Sequence, residues 1–225
     1  MIPDLVRFLE WLIMQIPKAL EEYRSYYKKL KSFQDIASVL HWDSEVMMPK
    51  EGREYRSSQI ADITQLTHDW SVSDEYKKKI EAAKKELVQF SQPEKVKWER
   101  EFFLLEEELS KAEKIPSEFV AEFSQTTNLA HGAWADARKN QSFAEFAPML
   151  EKIVSLSKKQ AEYLGYKNEP YDALLDGYER GAKTEDIAIL FESLKAELVP
   201  IVETAPYFPS PFKYHHRWSD ARNRS

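Results

Sequence analysis

Five histidines are the residues best suited to metal or proton-transfer chemistry in this chain. Hydrolysis at zinc takes two or three His or carboxylate ligands, an open coordination position, and a carboxylate to accept the proton of bound water. A His-Glu-x-x-His helix supplies two of the ligands and the base together. None of the five histidines is followed by Glu. His41 precedes Trp42, His68 precedes Asp69, His131 precedes Gly132, His215 precedes His216, and His216 precedes Arg217. His41 and Glu45 lie one helical turn apart and could share a metal. The reading taken is a helix-end histidine beside a surface carboxylate. His215 and His216 could hold a metal only as loosely as any His pair in a tail. No His has Glu three positions before it, which excludes a carboxylate-bridged di-iron bundle. Catalytic residues, cofactor-binding residues and metal ligands are therefore all read as none.

Other chemistries fail sooner. Cys is absent, so there is no thiol nucleophile, thiolate ligand or disulfide, which is compatible with a reducing cytoplasm. No Gly-x-Ser-x-Gly elbow and no phosphate-cradling glycine loop exist. Glu106, Glu107 and Glu108 read as a solvated face. Trp98, Phe102 and Phe103 read as core at helical spacing, not as a base-stacking platform. The formal charge of -6 argues against non-specific nucleic-acid binding.

The elements that must position these residues read as helices. Gly is scarce at 5 residues, while Glu, Lys, Leu and Ala abound. Leu20, Tyr23, Tyr27, Leu30, Phe33, Ile36 and Leu40 form one amphipathic stripe, with Pro17 in the first turn and an end before Pro49. Further helices are expected over about 51–68, from Ser73 to about 90, and from the capping box Ser91-Gln92-Pro93-Glu94. The chain restarts at Ile115-Pro116-Ser117-Glu118. A second box, Ser142-Phe143-Ala144-Glu145, opens a helix ending at Gly165. A short helix covers 172–178, and Thr184 caps the last. The fold class is all-α, with about eight helices and no sheet. Residues 1–17 read as an N-terminal extension, 18–205 as the helical body and 206–225 as an atypical, disordered tail. The extension is apolar but carries Asp4, Arg7 and Glu10, without a basic leader. It reads as a short amphipathic helix on the body, neither signal peptide nor membrane span.

The segment Leu40-His41-Trp42-Asp43-Ser44-Glu45-Val46-Met47-Met48-Pro49-Lys50-Glu51-Gly52 is a helix-to-turn corner. Trp42 is expected to bury its ring there, with Asp43 holding backbone donors or an Arg. The segment resembles the Trp-Asp-x-x-(Thr/Val)-x-Met-Pro-x-x-Gly pattern of the thermostable carboxypeptidases, the carboxypeptidase Taq family of zinc metallopeptidases. Downstream, Phe146 to Val154, Glu162 to Tyr166 and Pro170 to Glu179 continue the resemblance, which spans about 18–203. It implies a nearly all-helical fold with a deep groove over zinc, whose N-terminal helices form one wall and a lid. It also implies removal of residues from the C-termini of peptide substrates.

The family's His-Glu-x-x-His helix and downstream Glu belong to its C-terminal half, and no metal-binding or proton-transferring residue maps to this part. The chain alone is thus expected to be inert, with zinc a cofactor of the full-length family only. With its groove wall exposed, the chain is expected to self-associate, recruit a partner or be only marginally stable. The alternative reading is a helical interaction module that pairs with itself or a partner. Nucleic acid and membrane are not expected partners, and a cytoplasmic location is expected.

Overall fold

The computed structural model describes residues 16–204. The expectations for the extension (save Ile16 and Pro17) and for the tail at 206–225 fall outside these residues. Among the described residues every regular element is helical: α1 (Lys18–Val46), a 3-10 turn (Lys50–Gly52), α2 (Arg53–Ser71), α3 (Asp74–Glu86), a second 3-10 turn (Leu87–Gln89), α4 (Gln92–Ala112), α5 (Ser117–Asn140), α6 (Phe143–Leu164), α7 (Pro170–Leu175) and α8 (Thr184–Thr204). The all-α expectation holds. None of these helices is long and apolar enough to cross a membrane.

The described residues divide into two compact units, one ending at Pro170 and the other starting at Tyr171. In the first, α1 packs on α2 and α3, α2 on α5, and α5 on α6. Leu20, Tyr23 and Leu30 of α1 meet Tyr76, Ile80 and Ala83 of α3, and Trp98 and Phe102 of α4 complete that core. The rings of Tyr23 and Phe102 lie 5.0 Å apart, centre to centre. The α2–α5 seam is built differently, with Ser57, Ala61, Thr126, Ala130 and Gly132 buried in it. Small side chains let two helix backbones approach closely, so this seam is tight where the aromatic core is bulky.

Helix ends show which local signals act alone. Ser73 Oγ accepts from the backbone N–H of Tyr76, as its N-cap reading requires. Ser91 instead donates to the Glu94 carboxylate at 2.8 Å, so that box closes side chain to side chain. Gly165 takes φ 82° at the end of α6, where a side chain would be strained. Pro17 stands just before α1, and the first N–H groups are capped from afar. Glu86 of α3 accepts from Ala19 N at 3.0 Å and Leu20 N at 3.2 Å.

In the second unit, Thr184 is the first residue of α8, and its capping is done by Asp172. One oxygen of Asp172 accepts from the Thr184 backbone N–H at 2.8 Å and from its hydroxyl at 2.7 Å. These bonds, with Lys183 nearby, hold the Asp172 carboxyl below the usual range. Helix α8 has no buried residue, although Ile187, Leu190, Phe191, Leu194 and Leu198 repeat at helical spacing.

Candidate functional site

The corner between α1 and α2 gathers a cluster of polar side-chain contacts that tie α1, α2 and α5 together. The N–H groups of Met47 and Met48 both donate to Asp43 O, at 3.0 and 2.9 Å, and so close the end of α1. Pro49 cannot continue the helix, and the 3-10 turn at Lys50–Gly52 leads into α2. The Asp43 carboxylate is ion-paired with Arg56 of α2. The same guanidinium donates to Leu40 O at 3.2 Å and to Gln59 Oε1 at 3.0 Å. Asp43 therefore meets an Arg, as its type and place suggested.

A second clasp ties the corner to α5. Asp136 accepts from Lys50 and, at 2.5 Å, from Arg53. The Arg53 hydrogen bond first, and Lys50 second, push its carboxyl down to about 2. Gly132, one turn before Asp136, makes room for this pair. A Cβ there would lie 2.8 Å from Arg53 Nε.

A third group meets at the same end of α1. His41 Nε2 lies 3.1 Å from Glu45 Oε1, and His131 Nε2 of α5 lies 3.9 Å from the same oxygen. His41 Nδ1 faces Asn128 Oδ1 at 3.0 Å. Asn128 Nδ2 donates to Ser124 O at 2.8 Å, which fixes the amide so that its oxygen faces the ring. A cavity of about 110 Å³ lies beside these groups, lined by Ser44, Glu45, Met48, Arg56, Asn128 and His131 among others. It has room for a few waters, not for a peptide.

His41 and Glu45 are thus brought together as their spacing implied. His131 and Asn128 join them from another helix. Their one-turn spacing on α5 was the only hint in the sequence that they share a face. Among the described residues no group of three or more His, Asp, Glu or Cys could hold a metal ion. Glu106 is paired with Lys84 across α3 and α4. Trp98 and Phe102 are buried as read, whereas Phe103 is half-exposed.

Trp42 departs from expectation. Its side chain is 57% exposed, as are Val39 at 64% and Val46 at 58%. The i−1 neighbour of Asp43 lies about 100° around the helix from it. Asp43 turns to Arg56, and Trp42 is carried off the buried side. Along the expected α1 stripe, Tyr27 and Ile36 are exposed as well, while Phe33, set against Trp70, and Leu40 are partly buried.

A family model for the carboxypeptidase Taq (M32) metallopeptidases matches residues 22–222. Thermostable carboxypeptidase 1 of Pyrococcus furiosus is 38% identical over 187 residues, covering 83% of this chain and 36% of that protein. Carboxypeptidase 1 of Bacillus subtilis is 29% identical over 190 residues, covering 84% and 37%. Among solved structures, the one named BsuCP superposes with a TM-score of 0.77 at 27% identity, over 84% of this chain and 37% of that one. The Pyrococcus furiosus carboxypeptidase structure gives 0.65 at 37% identity, over 85% and 37%. The chain therefore spans little more than a third of these relatives' length. Fold, corner motif and a match over most of its residues agree that the chain belongs to the carboxypeptidase Taq (M32) metallopeptidase family.

Proposed function

We propose that this chain forms the N-terminal helical wall of a zinc-dependent carboxypeptidase that releases residues from the C-termini of peptides. The observation that carries the reading is the family match over residues 22–222, which includes the corner motif from Trp42 to Gly52. The residues of this chain do not fit the zinc centre. The 225 residues contain no His-Glu-x-x-His, and the His41–Glu45–His131 group does not close around an ion. Their role in the reaction is to shape and wall the peptide site, and no chemical step is assigned to them. By themselves they are expected to turn nothing over. The cysteine-free composition suits a cytoplasmic setting.

A second reading is a helical interaction module. Its support is the exposed apolar face of α8, where Leu190, Phe191 and Ile201 are each 60% or more exposed. Assay of the purified chain on a chromogenic carboxypeptidase substrate, with metal analysis after dialysis, tests the first reading. No turnover is expected from these residues alone. Turnover that copurifies with this chain and is lost with chelator would show that they hold a catalytic centre after all.

A further inference from the structure

The start of α1 lies beside an apolar groove. Ala19 and Leu20 donate their backbone N–H groups to Glu86, the last residue of α3. The 3-10 turn Leu87–Gln89 follows at once, and Leu87 packs in the same core as Leu20 and Phe102. Outside that core a groove of about 320 Å³ runs between the end of α3, this turn and α4. Buried Leu87 and Phe102 line it together with Val88 and Phe103, which are 77% and 49% exposed. Val96 stands two turns before Phe103 on the same line of α4 and is 57% exposed. Lys85 also lines the groove, and no carboxylate among the described residues pairs with it.

The apolar material nearest this groove along the chain precedes Pro17. Residues 1–15 lie outside the described residues, and their sequence alone enters the argument. Leu5, Phe8, Leu9 and Leu12 repeat at the spacing of one helical face. The family match begins at residue 22, so the fold shared with the relatives does not account for them. We propose that the groove of Val88, Val96 and Phe103 is the docking site of residues 1–15 of the same chain. Reach is no obstacle. Fifteen residues span about 22 Å as a helix and about 50 Å extended, whereas Val96 and Phe103 are about 10 Å apart along α4. The tether also favours this occupant over a second copy, because a short linker gives an effective concentration on the order of millimolar. Asp4 and Glu10 outweigh Arg7 in the segment, which suits a groove with Lys85 at its side.

The absence of cysteine makes the test clean. A nitroxide label on Gln89→Cys, at an exposed position beside Val88, is introduced into the full 225-residue chain enriched in nitrogen-15. The amide signals of residues 5–12 are expected to broaden and to recover when the label is reduced. Phe103→Glu should remove that broadening and speed amide exchange in the segment at least about tenfold, since a buried charge opposes docking. Val88→Lys should do the same, and it decides the matter if Phe103→Glu does not fold. Labelled chain without nitrogen-15, mixed with unlabelled chain that carries it, should broaden nothing. Signals of residues 5–12 untouched by the label would overturn the proposal, as would broadening that survives both substitutions. Broadening seen in the mixed sample would make the occupant a second copy and overturn it as well. Neither readout involves turnover.

Discussion

Two aromatic residues of α1 show how exposure decides energetics at the scale of single side chains. Tyr23 is 1% exposed, stacked on Tyr76 and tilted against Phe102, and donates to Glu101 at 3.1 Å. Tyr23→Ala is expected to cost about 3–5 kcal/mol, the transfer and cavity terms together. Trp42, at 57% exposure, is expected to cost less than about 1 kcal/mol when replaced by Ala in this chain. Chemical denaturation of both variants separates the cases, and a Trp42→Ala loss matching that of Tyr23→Ala would contradict the exposed placement. Gly132 acts through space, not through torsion. An alanine methyl would meet Arg53 Nε at 2.8 Å and displace the guanidinium from Asp136. Gly132→Ala is expected to destabilise by about 1 kcal/mol despite its better helix propensity. The sign of the change in denaturant midpoint checks it.

Helix ends and interhelical clasps set the behaviour of the elements. Helix α1 begins without a local side-chain cap, and Glu86 of α3 supplies the missing acceptor. Glu86→Ala is expected to cost about 1 kcal/mol and to fray the first turn of α1. Amide exchange at Ala19 and Leu20, slow in the parent and fast in the variant, would show it. The Asp136 clasp has a pH signature. Its folded value, about 2, lies below the ordinary 3.8. A depressed carboxylate contributes stability above its unfolded value and loses that contribution as pH falls through the folded one. The stability gap between the parent and Asp136→Asn should be full at pH 6, shrink below about pH 4 and disappear only as the pH falls below about 2. The pair is solvent-accessible, so added salt should narrow the gap at pH 6. A gap independent of pH would refute the clasp.

At the scale of the whole molecule, the described residues bury several seams and leave apolar surface open. The aromatic seam of α1, α3 and α4, the small-residue seam of α2 and α5, and the packing of α5 on α6, where Phe119, Leu156 and Ala161 are buried, close the first unit. Helix α8 keeps its apolar residues in water. At about 25 cal/mol per Å², even a few hundred Å² of such surface amounts to several kcal/mol of burial not realised. That is large beside the roughly 5–15 kcal/mol that stabilises a typical domain. The chain is expected to bind a hydrophobic dye, and Leu190→Lys with Leu194→Lys should remove much of that signal. Dye binding unchanged by the pair would place the sticky surface elsewhere.

Local rules were enough for the helices themselves. Ser73, Pro93, Pro116 and Gly165 act on their immediate neighbours, so their reading needed no knowledge of what packs where. The helix from Ser117 shows the limit, because it ends on Gln141 in the left-handed region at φ 56°, where no glycine marked the stop. Asp43 with a basic partner was legible as well, since a carboxylate at a helix end near several Arg has few alternatives. Which Arg followed from the turn that folds α2 back beside α1, whereas the joining of His131, Asn128 and Asp136 to the corner followed from the placement of α5, across some 80 residues of sequence. The fate of Trp42 was decided the same way. The stripe on α1 fixed which residues are apolar. Only the placement of α2, α3 and α4 around α1 decided which of them are covered, because burial depends on the neighbours a face meets and not on its own periodicity.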